Sequence, residues 1–89
     1  MLEDILRKIM DLNKKTFLIT GGTGSFGNAV LKKLLKTNIK EIRIFSRDEK
    51  KQYDLRKKVN DDRVKFYLGD IRNYSSVLEA TKNVNYIFH

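Results

Sequence analysis

Cysteine is absent from the 89 residues, which excludes a disulfide framework and any thiolate-ligated metal. Histidine occurs once, at the final position, so no metal-ligand cluster can be assembled around it. No apolar run approaches the roughly 18 to 20 residues that a membrane span requires. Glu3 and Asp4 stand ahead of any basic residue, unlike the basic start of a secretory signal. Internal repeats and low-complexity linkers are lacking as well. These absences point to a soluble, cytoplasmic chain with no metal and no transmembrane segment. Length limits it further. A chain of this size buries only about 60 to 65% of the surface its unfolded form exposes, which leaves a marginal core and little material to wall a substrate pocket.

Basic residues are in excess, 19 Lys and Arg against 11 Asp and Glu for a net charge of +8. A basic balance raises nucleic acid or an anionic membrane surface as partners. The distribution argues against both. Arg7-Lys8, Lys14-Lys15, Lys32-Lys33 and Arg56-Lys57-Lys58 lie in separate segments, interleaved with Asp54, Asp61 and Asp62, and scattered charge of this kind serves mainly solubility.

Apolar periodicity alternates between two kinds. Thr16 to Thr20 is a short β-rich run that reads as a buried strand. From Ser25 to Lys36, Phe26, Ala29, Val30 and Leu34 recur at helical spacing, widened by Leu31 and Leu35. Glu41 to Ser46, with Ile42, Ile44 and Phe45, is a second strand. A polar helix follows, opened by Ser46-Arg47-Asp48-Glu49 at capping-box spacing and anchored by Tyr53, Leu55 and Val59. Val64 to Leu68 is a third strand, Asn73 the N-cap of a short helix through Thr81, and Tyr86 to Phe88 a fourth strand. Strands separated by helical segments imply β-α-β units, a parallel sheet and right-handed crossovers. The fold class is therefore α/β, a Rossmann-type doubly wound sheet of about four strands over residues 15–89. Ahead of it, residues 1–14 are expected to form an amphipathic helix with Leu2, Ile5, Leu6, Ile9 and Met10 on one face, open to a partner or a membrane surface, although its mixed-sign polar face suits packing on its own domain better.

The informative stretch is Thr20-Gly21-Gly22-Thr23-Gly24-Ser25-Phe26-Gly27, between the first strand and the first helix. Glycines at 21, 24 and 27 suit a tight turn, close approach of backbone to a pyrophosphate, and close helix-to-strand packing, with the free N–H groups of the helix start facing the phosphates. An ordinary glycine-rich turn would lack the strand before, the helix after and the β-α-β continuation. A P-loop is excluded, because Asn28-Ala29 follow the last glycine where Lys and Ser or Thr are required.

The Gly-x-x-Gly-x-x-Gly spacing resembles the extended short-chain dehydrogenase/reductase superfamily. Taken together, Leu18-Ile19-Thr20 with the glycine loop, Ile44-Phe45-Ser46-Arg47-Asp48-Glu49 with Lys51-Gln52, and Phe66-Tyr67-Leu68-Gly69-Asp70-Ile71-Arg72 resemble the UDP-N-acetylglucosamine 4,6-dehydratases of bacterial polysaccharide and flagellin-sugar biosynthesis. The resemblance covers residues 15–89 and leaves out residues 1–13. It implies a parent enzyme, a lyase, in which a UDP-sugar is oxidised at C4, loses water across C5 and C6, and is reduced at C6 to a 4-keto-6-deoxy sugar nucleotide. It also implies a homo-oligomer. This chain would be the N-terminal, NADP-binding portion, inactive alone. A related sugar-nucleotide epimerase or reductase, a stand-alone nucleotide-binding module and a basic nucleic-acid-binding domain remain as alternatives.

On that reading Gly21, Thr23, Gly24, Ser25, Phe26 and Gly27 hold the pyrophosphate. An NAD site places a carboxylate on the ribose 2′-OH at the end of the second strand, whereas an NADP site must accept a phosphate there. Ser46 and Arg47 stand at that point, with Lys51 about one helical turn on, so NADP is expected. Asp48 keeps NAD open. The resemblance assigns the Asp70 side chain and the Ile71 backbone N–H to the adenine edge.

Tyr53-Asp54-Leu55-Arg56-Lys57 matches the Tyr-x-x-x-Lys spacing with which short-chain dehydrogenases move a proton. It lies on the helix after the second strand, at the adenosine end, while the family's pair lies beyond the fourth strand. No catalytic residue is therefore assigned, and His89 reads as a strand terminus. Tyr86 to Phe88 should leave an exposed apolar edge.

Overall fold

The structure, a computed structural model, describes Leu2, residues 12–21 and residues 23–89. Ten of the fourteen residues of the expected helix over residues 1–14 fall outside the described residues, as does Gly22, and residues 12–14 at its expected end form a turn instead of helix. The described elements are β1 (Thr16–Thr20), α1 (Ser25–Leu35), β2 (Glu41–Ser46), α2 (Glu49–Val59), β3 (Val64–Leu68), α3 (Tyr74–Thr81) and β4 (Tyr86–Phe88). They match the sequence reading closely, with α1 ending one residue before the expected Lys36.

All the strands are parallel, in the order β3-β2-β1-β4. Ile19 pairs with Ile44 and Ile44 with Phe66, so one face carries Ile19, Ile42, Ile44 and Val64. Against it pack Val30, Leu31 and Leu34 of α1 and Leu55 of α2, together with Leu12 and Ile39. Alternation sends Leu18 and Phe45 to the other face, where they meet Ala80 and Val77 of α3. A sheet buried on both faces is what the unbroken apolar runs require. The chain moves outward from β1 to β3 and then returns to the far side of β1 for β4. That reversal creates a switch point between β1 and β4, at the carboxyl ends of the strands, where such sheets take their ligands.

Three local expectations are corrected. Phe26 and Ala29 face outward, and the buried stripe of α1 is Gly27, Val30, Leu31 and Leu34. Ser46 does not open a capping box. It stays extended in β2, paired with Leu68, and the N-cap of α2 is Asp48, whose carboxylate accepts from the Lys51 N–H at 2.9 Å. Tyr53 does not anchor α2, being 55% exposed, and Gln52 takes the inward position beside Leu55. Asn73 caps α3 as expected, accepting from the Ser76 N–H.

Arg43, a charge in the middle of the sheet, is accounted for by the end of α3. Its Nη1 donates to the carbonyls of Ala80 and Lys82 at 2.9 and 2.7 Å, and its guanidinium lies over the Tyr67 ring. Cations complete free carbonyls at a helix C-terminus in this way. β4 is held at its start by Asn85, whose side chain accepts from the Thr16 N–H at 2.8 Å. Beyond that point Ile87 is exposed, while Tyr86 and Phe88 are half-buried, so the expected apolar edge is concentrated at one residue.

Candidate functional site

The glycine loop leaves β1 through Gly21, whose φ of +66° is a conformation that side chains disfavour. Its N–H donates to the Phe45 carbonyl at 2.9 Å, which ties the turn to the end of β2, and its own carbonyl accepts from the Gly24 N–H. Gly24 is the N-cap of α1 and supplies no side-chain hydrogen bond, and the first turn holds no acidic residue. The N–H groups at this helix start are therefore available to an anion, and the helix dipole is uncompensated there. Gly27 is buried in the packed face of α1. Thr23 is half-buried and Ser25 exposed, while the Phe26 ring stacks on Phe88 at 5.3 Å.

The end of β2 supplies Ser46 and Arg47. Ser46 is only 9% exposed. Its carbonyl accepts from the Gly69 N–H, and its hydroxyl oxygen accepts from Gln52 Nε2 at 3.1 Å. Arg47 is exposed, and its Nη1 lies 3.6 Å from Asp70 Oδ2. Lys51 projects from the exposed first turn of α2.

The end of β3 supplies Gly69, Asp70, Ile71 and Arg72. A Cβ on Gly69 would sit 2.9 Å from Ser76 Cβ and 3.1 Å from the Phe45 ring, so close packing demands glycine here. Asp70 accepts from the Arg72 backbone N–H at 2.9 Å and from Arg72 Nη2 at 2.7 Å. These bonds, with the Arg47 charge nearby, hold its carboxyl well below the usual carboxylate range, and Arg72 is correspondingly raised. The carboxylate is ionised and fixed in orientation at neutral pH.

Three strand ends thus converge on one open cleft of about 520 Å³. Of the residues expected at the site, Gly21, Ser46, Arg47, Asp70 and Ile71 line it. Thr23, Gly24, Ser25, Phe26, Gly27 and Lys51 are not among its lining. Arg72 and His89 do line it. His89 Nδ1 hydrogen-bonds Thr20 Oγ1, so the residue read as a mere strand terminus closes the β4 side of the cleft. Two participants escaped the sequence reading. Gln52 shares a helical stripe with Leu55 and Val59, and that spacing could have revealed a buried amide. Arg72 repeats the Asp-x-Arg pattern of Asp61 and Arg63, which could have revealed a clamp. Tyr53 and Lys57 stand together on the outside of α2, the Lys57 ammonium 4.5 Å over the Tyr53 ring, away from the cleft lining. Among the described residues no group of His, Asp or Glu is arranged to hold a metal, and no helix is long and apolar enough to cross a membrane.

A parallel sheet of this order, with a positive-φ glycine turn at its carboxyl edge entering a helix that has no side-chain cap, defines a Rossmann-type α/β fold. The family model for polysaccharide biosynthesis proteins matches residues 17–89, and the chain belongs to that family. A protein named UDP-glucose 4-epimerase from Rickettsia bellii (strain OSU 85-389) is 63% identical over 79 residues, 84% of this chain. A protein of the same name from Rickettsia prowazekii (strain Madrid E) is 62% identical over 79 residues. The chain spans 23% of the length of each. Among solved structures, Pen from Bacillus thuringiensis superposes with a TM-score of 0.84 at 40% identity, over 90% of this chain and 25% of that one.

Proposed function

We propose that this chain forms the adenosine and pyrophosphate half of an NADP site in an enzyme that remodels a UDP-sugar. The observation that carries the reading is the convergence of the Gly21 turn, the Ser46-Arg47 strand end and the Asp70-Ile71 strand end on one cleft. The backbone N–H groups at the start of α1 would receive the pyrophosphate, Arg47 with Lys51 the 2′-phosphate, and Asp70 with the Ile71 N–H the adenine edge. Asp48 supports NADP over NAD, because its carboxylate is engaged in capping α2. A bound nicotinamide would supply reversible hydride transfer at a sugar carbon. On this reading the residues of this chain bind and orient the cofactor.

The reaction we favour is 4,6-dehydration of UDP-N-acetylglucosamine, in the cytoplasm, by a homo-oligomeric parent protein. Epimerisation at C4 is the second reading, supported by the name of the Rickettsia relatives. Both begin with oxidation at C4. Isothermal titration of the chain with NADP, NAD and 2′,5′-ADP tests the cofactor reading, with binding by NADP and 2′,5′-ADP expected and binding by none of the three refuting it. Product analysis of the full-length parent with UDP-N-acetylglucosamine and UDP-glucose separates the two reactions: a 4-keto-6-deoxy product supports dehydration, a C4 epimer alone the second reading.

A further inference from the structure

Gln52 is 5% exposed, a buried position of α2 that bonds to Ser46, a residue of the cleft lining. Its Nε2 is 2.9 Å from the Tyr67 carbonyl, 3.1 Å from Ser46 Oγ and 3.4 Å from the Ser46 carbonyl. A main-chain carbonyl can only accept, so the atom facing Tyr67 must be the amide NH₂ and the reversed amide is excluded. Its other hydrogen is shared between Ser46 Oγ, the nearer acceptor, and the Ser46 carbonyl, and Nε2 has no lone pair to accept from the hydroxyl. The hydroxyl is thereby an acceptor toward Gln52, and its own proton must point elsewhere. No protein group among the described residues accepts that proton, although Ser46 is nine-tenths buried and lines the cleft. That donor faces the cleft, where it is open to an acceptor arriving there.

We propose that Gln52 is a positioning residue for cofactor selectivity, turning the Ser46 hydroxyl into a donor toward the 2′-phosphate of NADP. The inference rests on the cofactor reading above. An NAD site offers an acceptor, a carboxylate, to the ribose 2′-OH, and Ser46 with Gln52 behind it offers the opposite polarity. A phosphate oxygen accepts with charge assistance, roughly doubling the strength of the bond relative to a neutral acceptor.

The test measures Kd for NADP and NAD by titration of the wild-type chain and of Gln52→Met, Ser46→Ala and the double variant, with a thermal melt on each. Gln52→Met is expected to lower the preference for NADP over NAD about tenfold, one hydrogen bond's worth, and the double variant to lose no more than Ser46→Ala. Equal weakening of both cofactors by Gln52→Met, or additive losses in the double variant, would overturn the proposal. Should Gln52→Met fail to fold, Ser46→Ala keeps the Gln52 to Tyr67 bond and must itself reduce the preference; an unchanged preference rejects the donor role. Wild-type chain that binds neither NADP nor 2′,5′-ADP overturns the cofactor reading together with this inference. Wild-type binding with equal losses overturns the inference alone.

Discussion

Arg63 grips the Asp61 carboxylate through Nε at 3.1 Å and Nη2 at 3.0 Å, and the same guanidinium reaches the carbonyls of Thr37 and Leu35 at 3.0 and 2.9 Å. One side chain therefore joins the turn before β3 to the end of α1, completing carbonyls that the helix leaves free. Arg63→Ala should cost about 2 kcal/mol, the scale of hydrogen bonds to a charged group in a partly buried setting. Lysine cannot reproduce the planar fork, so Arg63→Lys should recover less than half of that loss. Urea unfolding of the three proteins checks both values, and a midpoint unchanged in Arg63→Ala would show the clamp to be ornamental.

The same pair predicts a pH dependence. Hydrogen bonds from the Arg63 side chain and backbone lower the Asp61 pKa from 3.8. A carboxyl lowered in the folded state contributes stability that is fully present above the unfolded value and is lost as pH falls through the folded one. Stability should therefore fall below about pH 4, where the unfolded chain binds more protons. Asp61→Asn should be less stable at neutral pH and show a shallower decline through the acid range. Parallel slopes for the two proteins would contradict this assignment.

Two glycines should fail for different reasons. At Gly69 an added methyl meets Ser76 and the Phe45 ring, so Gly69→Ala should lose about 1 to 3 kcal/mol by overpacking. The shift falls on the turn that carries Asp70, and cofactor affinity should drop with it. At Gly21 an added Cβ meets nothing within 4 Å, and only the φ of +66° opposes it. Gly21→Ala should cost about 1 kcal/mol of backbone strain, and Gly21→Asn less, since asparagine tolerates positive φ. Thermal melts of the three variants distinguish the mechanisms: if asparagine is no better than alanine at position 21, strain is not the cause.

The order of strands and helices was legible because each strand is a short apolar run, each helix has its own stripe, and glycine or asparagine marks most boundaries. Asn73 capped α3 as its spacing suggested. What was not legible depends on contacts between elements. Ser46 has the chemistry of a cap, yet its pairing with Leu68 and the amide of Gln52 hold it in the strand, and the cap passes to Asp48. Tyr53 and Gln52 are neighbours on α2, and hydropathy favours the wrong one. The part-buried carbonyl of Tyr67 takes a donor, and only the fold brings it opposite residue 52.

Tyr53 and Arg47, both exposed, offer a direct contrast. Tyr53 belongs to a sequence pattern associated with catalysis but stands on the outer face of α2, touched by Lys57. Removing its hydroxyl in Tyr53→Phe should leave NADP affinity within about twofold and stability within ±0.5 kcal/mol, as for surface substitutions without buried partners. Arg47 is 69% exposed at its side chain and pairs only loosely with Asp70, so Arg47→Ala should fold as well as the wild type. On the proposed NADP reading its guanidinium receives the 2′-phosphate, and losing that contact should weaken NADP and 2′,5′-ADP by about ten- to a hundredfold while leaving NAD nearly unchanged. Raising the salt concentration should narrow the gap between wild type and Arg47→Ala, because the contact is screened. If Tyr53→Phe weakens NADP as much as Arg47→Ala does, the outer face of α2 is part of the site and the assignment of the cleft must change.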